Sequence, residues 1–225
     1  MDAVSFALLA VICWKGAPRT PAAAVAPESG TGAWRTILTR PRLLGLLAVT
    51  CLFFFLYGPV EVALPVHVAD DLAGSPGLLG TFWAVFGFGA VLGGLGAGLL
   101  PHRWLWAAVV VIVIGWGAAL LPLGLTDAVG PGLIGFAIGG VIYGPFTAIE
   151  TGLFQRTSPA PILSRVLALR NAVTIPSVAL GTLLGGPLVG AIGARQTMLV
   201  SAVLTVALGV LLALVVTVRW AAGRR

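Results

Sequence analysis

Long apolar runs alternate with short polar breaks along most of the chain. Six runs are long enough to cross a bilayer, at residues 43–68, 77–100, 104–125, 131–154, 166–191 and 197–218. A helix needs about 20 apolar residues to cross ~30 Å of hydrocarbon. Barrel strands would alternate and be much shorter. Inside hydrocarbon each backbone amide must find its partner within its own segment, so the runs predict six transmembrane helices. The connections are short, so neighbouring spans run antiparallel.

The N-terminal part differs. Its apolar run at residues 3–14 covers roughly 18 Å, too little to cross alone. Asp2 stands where a signal peptide would carry basic residues, so the run reads as the last part of one more spanning helix. Residues 15–42 form a linker. Its first half is rich in Pro, Ala and Gly with nothing to pack. Its end, AWRTILTRPR, mixes Trp34, Ile37 and Leu38 with Arg35, Arg40 and Arg42. That segment reads either as a short helix lying on the membrane face or as a basic anchor without defined structure. Residues 43–218 are the six-helix domain and 219–225 a tail.

Composition narrows the class. The chain is 59% hydrophobic and 9% charged, whereas a soluble domain carries about a quarter charged residues. The net charge of +6 could suggest nucleic acid, but the basic residues are scattered singly between apolar runs. They follow the positive-inside rule instead. With residues 15–42 in the cytoplasm, Lys15, Arg19, Arg35, Arg40, Arg42, Arg103, Arg156, Arg165, Arg170, Arg219, Arg224 and Arg225 all lie inside, and Arg195 alone lies outside. Linker and C-terminus are therefore expected to be cytoplasmic. Trp14, Trp34, Trp104, Trp106 and Trp220 then fall near the inner interface, and Asp70, Asp71 and Asp127 outside. Cys13 and Cys51 read as small hydrophobes. No metal-ligand spacing, catalytic set or phosphate loop is visible. The expectation is a protein that is not an enzyme and needs no cofactor.

Two stretches repeat. GAVLGGLGAG at residues 89–98 and GTLLGGPLVG at 181–190 share glycines at four positions, namely Gly89, Gly93, Gly94 and Gly98 against Gly181, Gly185, Gly186 and Gly190. Arg103 and Arg195 each follow the last glycine by the same spacing. The copies lie in the second and fifth spans. They are three spans apart, an odd step, so the copies should be inverted in the membrane, a 3+3 repeat. The glycines are read as helix-packing positions. A second echo is Tyr-Gly-Pro, once at Tyr57 in the first span and once at Tyr143 in the fourth. Either a proline kink or a local unwinding that offers carbonyls to substrate fits it. Each copy is followed by a glutamate within the apolar run, Glu61 and Glu150. Such acids face a cavity or a partner. Their depths differ, so they are not expected to pair with each other. Glu150 is expected to meet Arg156, Arg165 or Arg170. Glu61 could exchange protons, attract a cationic compound, or snorkel to the outer interface. His67 and His102 are expected at solvated interfaces.

These features together resemble the C-terminal half of a major facilitator superfamily transporter, in the bacterial drug-efflux branch that includes macrolide-efflux-like permeases. DAVSFALLAVICW resembles the end of the sixth helix. RPRLLGLLAV and GPVEVALPVHV resemble the seventh, SPGLLGTFWAVFGFGAVLGG the eighth, and GPFTAIETGLFQRTSPAPILSRVLALRNAV the tenth, the inner loop and the entry to the eleventh. GLLPHR resembles a decayed loop signature with His102 in place of an aspartate. The resemblance implies an all-α, six-helix half-bundle in the bacterial inner membrane. It implies proton-coupled efflux of a small drug-like molecule, with Glu61, Glu150, Tyr57 and Tyr143 along the substrate and proton pathway. Arg103, Arg156, Arg165 and Arg170 would be inner-loop charges. The expected partners are the bilayer, substrate, protons, and an N-terminal half or a second chain. The alternative is a membrane protein that does not transport by itself and works only by assembling with another chain.

Overall fold

The computed structural model describes residues 31–98 and 100–222. Every regular element among them is helical: α1 Thr31–Thr39, α2 Pro41–Val66, α3 Pro76–Ala97, α4 Leu105–Leu125, α5 Val129–Tyr143, α6 Phe146–Thr157, α7 Leu163–Ile192 and α8 Ala194–Ala222. Helix α5 and helix α6 together make one span. A π-helical turn, His67–Asp71, extends α2, and short 3-10 turns lead into α4 and α7.

Six segments are long and apolar enough to cross a membrane: Pro41–Asp71, Pro76–Gly96, His102–Leu125, Val129–Thr157, Ala160–Ile192 and Ala194–Val218. They are referred to below as spans one to six. They coincide with the six apolar runs, with displaced ends. Span two stops before residue 100 because Pro101 is extended, and this starts the turn into span three. Span five begins earlier than expected, so Arg165 lies in the first turn of α7; Arg170, two turns in, is likewise helical and not an inner-loop charge. The partial helix at residues 1–14 lies outside the described residues.

Prolines set the starts. Pro41 and Pro76 stand in the first turns of α2 and α3, where the missing N–H is no loss. Interior hydroxyls are satisfied locally. Thr81, Ser177, Thr205 and Thr217 each donate to the carbonyl four residues back. That back-bonding removes the cost of placing a hydroxyl in hydrocarbon. Gly193, with φ +85°, is the single residue between α7 and α8. Its positive φ is open to glycine at no steric cost.

The packing order follows from small residues. Span two packs on span four, four on three, three on six, six on one, and one on five. Spans two and five thus end the series and expose large apolar side chains, among them Phe88, Leu95, Ile175 and Leu183. The interior is filled by Phe53, Phe82, Trp116, Phe136, Phe146 and Phe154, all at most 1% exposed.

Glycines make the two closest crossings. A Cβ on Gly58 would overlap the backbone of Gly181 and Thr182, and one on Gly144 the backbone of Ala90 and Gly94. Gly89, Gly93, Gly181 and Gly185 are likewise against neighbouring backbone or side chains. The packing expectation needs correcting for the rest of the repeat. A Cβ on Gly98, Gly186 or Gly190 would meet nothing within 4 Å, and one on Gly94 only ordinary contact. Gly186 and Gly190 lie off the crossing face, Gly98 lies beyond the helix end, and Gly94 is at the crossing through its backbone but with room for a side chain.

Candidate functional site

The Tyr-Gly-Pro copies explain the glycine seams. Pro59 and Pro145 lack an N–H, so the carbonyls four residues back, on Phe55 and Val141, lose their helical donors. Gly181 lies against the Phe55 carbonyl and Gly93 against the Val141 carbonyl. A glycine Cα–H can approach a carbonyl closely where any side chain would block it. The freed carbonyls are therefore met by a neighbouring helix, which fits the proline kink better than an unwinding that offers them to substrate. The copies also differ. Helix α2 runs through Pro59 without interruption, whereas the second copy separates α5 from α6 at Gly144 and Pro145.

The tyrosine rings meet. Tyr57 and Tyr143 stack with centroids 6.5 Å apart and planes 17° from parallel. Tyr143 also contacts Phe53, Phe86, Trp116 and Phe146, with centroids 5.7–6.3 Å away. Offset and tilted pairs at this range add ~0.5–1.5 kcal/mol each beyond the area they bury. Tyr143 lies within electrostatic reach of both Glu61 and Glu150. This aromatic node joins spans one, two, three and four. Sequence reasoning singled out the tyrosines for their backbone neighbours and missed the rings around them.

Glu150 is fully buried and held on both oxygens. Arg170 donates from Nε to Oε1 at 2.9 Å and from Nη2 to Oε2. Thr50 adds a third hydrogen bond to Oε1, at 3.1 Å. Arg170 continues to Asn171 Oδ1 at 2.9 Å. Among the three expected arginine partners the structure brings Arg170 to Glu150. Arg156 is exposed at the end of α6, and Arg165 is half-buried in α7. Thr50 went unnoticed because a lone hydroxyl in an apolar run usually bonds its own helix. One turn beyond Arg170, Thr174 Oγ1 is buried without a partner among the described residues.

Glu61 is placed differently. It is half-buried, and Thr182 Oγ1 lies 3.4 Å from its Oε2. The same hydroxyl donates to Val178 O at 3.1 Å, so its hold on the carboxylate is weak. Tyr57, one turn earlier, interacts with it. No cation among the described residues pairs with Glu61.

The remaining charges lie at the ends of the spans. Arg195 Nη1 reaches both Asp127 oxygens at 2.8 Å, and its Nε donates to Gly124 O at 3.1 Å. It ties the start of α8 to the turn between spans three and four. Arg103, its counterpart by spacing, is exposed and has no such partner among the described residues. His102 is exposed. His67 is not at a solvated surface as expected. It is 1% exposed, with Nδ1 2.7 Å from Asp71 Oδ2. The π-helical turn brings the two together.

No protein-family model matches the chain, and no curated protein matches it. Among the described residues every regular element is helical, and six segments are long and apolar enough to span a membrane. Among the described residues no group of histidines, cysteines and carboxylates is arranged to hold a metal.

Proposed function

We propose that the chain is a six-span half of a secondary exporter of the major facilitator type, moving a small drug-like molecule in exchange for protons. The observation that carries this reading is the symmetry of its packing. Exchanging spans one, two and three with four, five and six turns the five most extensive helix pairings into themselves. The glycine crossings follow the same exchange. Gly58 against the Thr182 amide corresponds to Gly144 against the Gly94 amide, and Gly181 against the Phe55 carbonyl to Gly93 against the Val141 carbonyl, one helical turn out of step with the glycine repeat. An inverted repeat of three spans is the internal organisation of such transporter halves. On this reading the arginine-rich ends are cytoplasmic, and Glu61 carries the coupling proton beside the Tyr57–Tyr143 node.

A second reading concerns assembly. The exposed apolar faces of spans two and five, at the two ends of the packing order, favour a chain that completes its cavity against another six-span partner. Both readings place the substrate path along spans one and four.

The test is retention of a fluorescent amphipathic dye in the host's own cells, with and without the chain. The reading expects faster dye loss with the chain, abolished by a protonophore and by Glu61→Gln. Equal dye loss in both strains, or loss unaffected by Glu61→Gln, contradicts it.

A further inference from the structure

The arginine-rich end carries two cavities that the transport reading does not use. One, of about 490 Å³, is lined by Thr39, Arg40, Pro41, Arg42, Arg156 and Thr157, together with Leu43. The other, of about 330 Å³, is lined by Gly45, Trp106, Leu212, Val215 and Val216. Pro41 and Arg42 are walls of both. The first is a pocket of three guanidinium groups. The second is an apolar groove between spans one, three and six.

Three arginines around one pocket repel one another unless an anion sits among them. Arg40 spends one donor on Thr157 O, at 3.2 Å. Among the described residues no carboxylate pairs with Arg40, Arg42 or Arg156. Guanidinium groups bind phosphate oxygens in paired hydrogen bonds. Helix α1 fixes the level of the pocket. Ile37 is buried against the bundle, while Trp34 and Leu38 are exposed beside Arg35. An exposed Trp-Leu face next to basic residues belongs at the headgroup level of a bilayer. Thr39, the last residue of α1, is part of the pocket wall.

We propose that these two cavities form one site for an anionic phospholipid. Its phosphate sits among Arg40, Arg42 and Arg156, and one acyl chain lies in the groove past Gly45 and Trp106. A basic pocket at the headgroup level between spanning helices suits this ligand. The apolar groove that shares its wall sets a lipid apart from soluble phosphate, which has no use for it. The site is independent of whether the chain transports anything.

The experiment uses the full chain, purified in a nonionic detergent and depleted of lipid. Phosphatidylglycerol with brominated acyl chains is titrated in, and quenching of Trp106 is read as the difference from a Trp106→Phe variant. Brominated phosphatidylcholine is the neutral control. The site predicts that phosphatidylglycerol quenches at the lower concentration. It predicts that Arg42→Gln and Arg156→Gln each weaken it about fivefold, the equivalent of about 1 kcal/mol per basic residue at a membrane surface. Arg156→Lys keeps most of the effect, which separates loss of charge from loss of fold. Gly45→Leu, placed in the groove, weakens lipid binding with all three arginines intact. Equal quenching by the two lipids, or no change in the glutamine variants, overturns the proposal. Displacement of the lipid by millimolar inorganic phosphate also overturns it, in favour of a soluble anion.

Discussion

The two triplets of spans are alike where helices touch and unlike where charges stand. Spans one and four both carry Tyr-Gly-Pro, both free a carbonyl with the proline, and both have a glycine of the neighbouring span laid against it. One glutamate follows in each. Glu150 is locked by Arg170 and Thr50 with no exposure. Glu61 has one weak hydroxyl contact, its tyrosine neighbour, and no cation among the described residues. The arginines divide similarly, Arg195 being tied to Asp127 and Arg103 exposed. Close helix crossing places the same steric demand on both triplets, so it leaves the same residues in both. On the proposed reading proton exchange needs one acid only, which leaves Glu150 as a structural bolt and Glu61 for the proton.

The largest effect should come from breaking the bolt. Glu150→Ala leaves the Arg170 guanidinium buried without its partner, which costs about 3–5 kcal/mol. Unfolding in mixed detergent micelles, followed by circular dichroism, measures it. Replacing Glu150 and Arg170 together by leucine should recover most of the loss, because a buried pair and a well-packed apolar pair are close in stability. If the double variant is as unstable as the single one, Glu150 has a role beyond neutralising Arg170.

Next come the seams. Gly58→Val and Gly144→Val force a branched side chain into the backbone of the facing helix, at about 1–3 kcal/mol each. Similar losses at the two sites support the likeness of the triplets. Gly186→Ala, where a Cβ meets nothing, should change stability by less than about 0.5 kcal/mol. A large loss at only one of the two seams would break the comparison.

Smaller still is Asp127→Ala. The pair with Arg195 is more than a third exposed on each side, and such pairs contribute about 0–1 kcal/mol. The least effect on stability belongs to Glu61→Gln, within about 0.5 kcal/mol, read by the same unfolding assay. Its expected loss of dye export, set against intact folding, is the sharpest contrast with Glu150.

Much of this arrangement was legible in the chain. Apolar run length fixes the spans, because backbone amides in hydrocarbon leave no other solution. The span ends were displaced where polar residues such as Arg156, Thr157 and Arg165 still continue a helix into the interface. Glycine spacing announced close packing, but spacing does not say which face turns inward, so Gly186 and Gly190 were included with Gly181 and Gly185. The Tyr-Gly-Pro copies drew attention to the right residues for an incomplete reason. A sequence shows the proline, but not the glycine across the crossing that takes up the freed carbonyl. The aromatic node and Thr50 join residues from spans far apart in sequence, which no local pattern signals. The burial of His67 depends on a π-helical turn, and the i, i+4 spacing to Asp71 was its only trace.

The central claim is that the two triplets lie inverted across the membrane. Its most direct test replaces Cys13 and Cys51 by serine and adds one cysteine at a time, Arg103→Cys or Arg195→Cys. A membrane-impermeant maleimide is then applied to intact cells and to opened cells. The account predicts that residue 195 is labelled in intact cells and residue 103 only after opening. Labelling of both positions from the same side would contradict it.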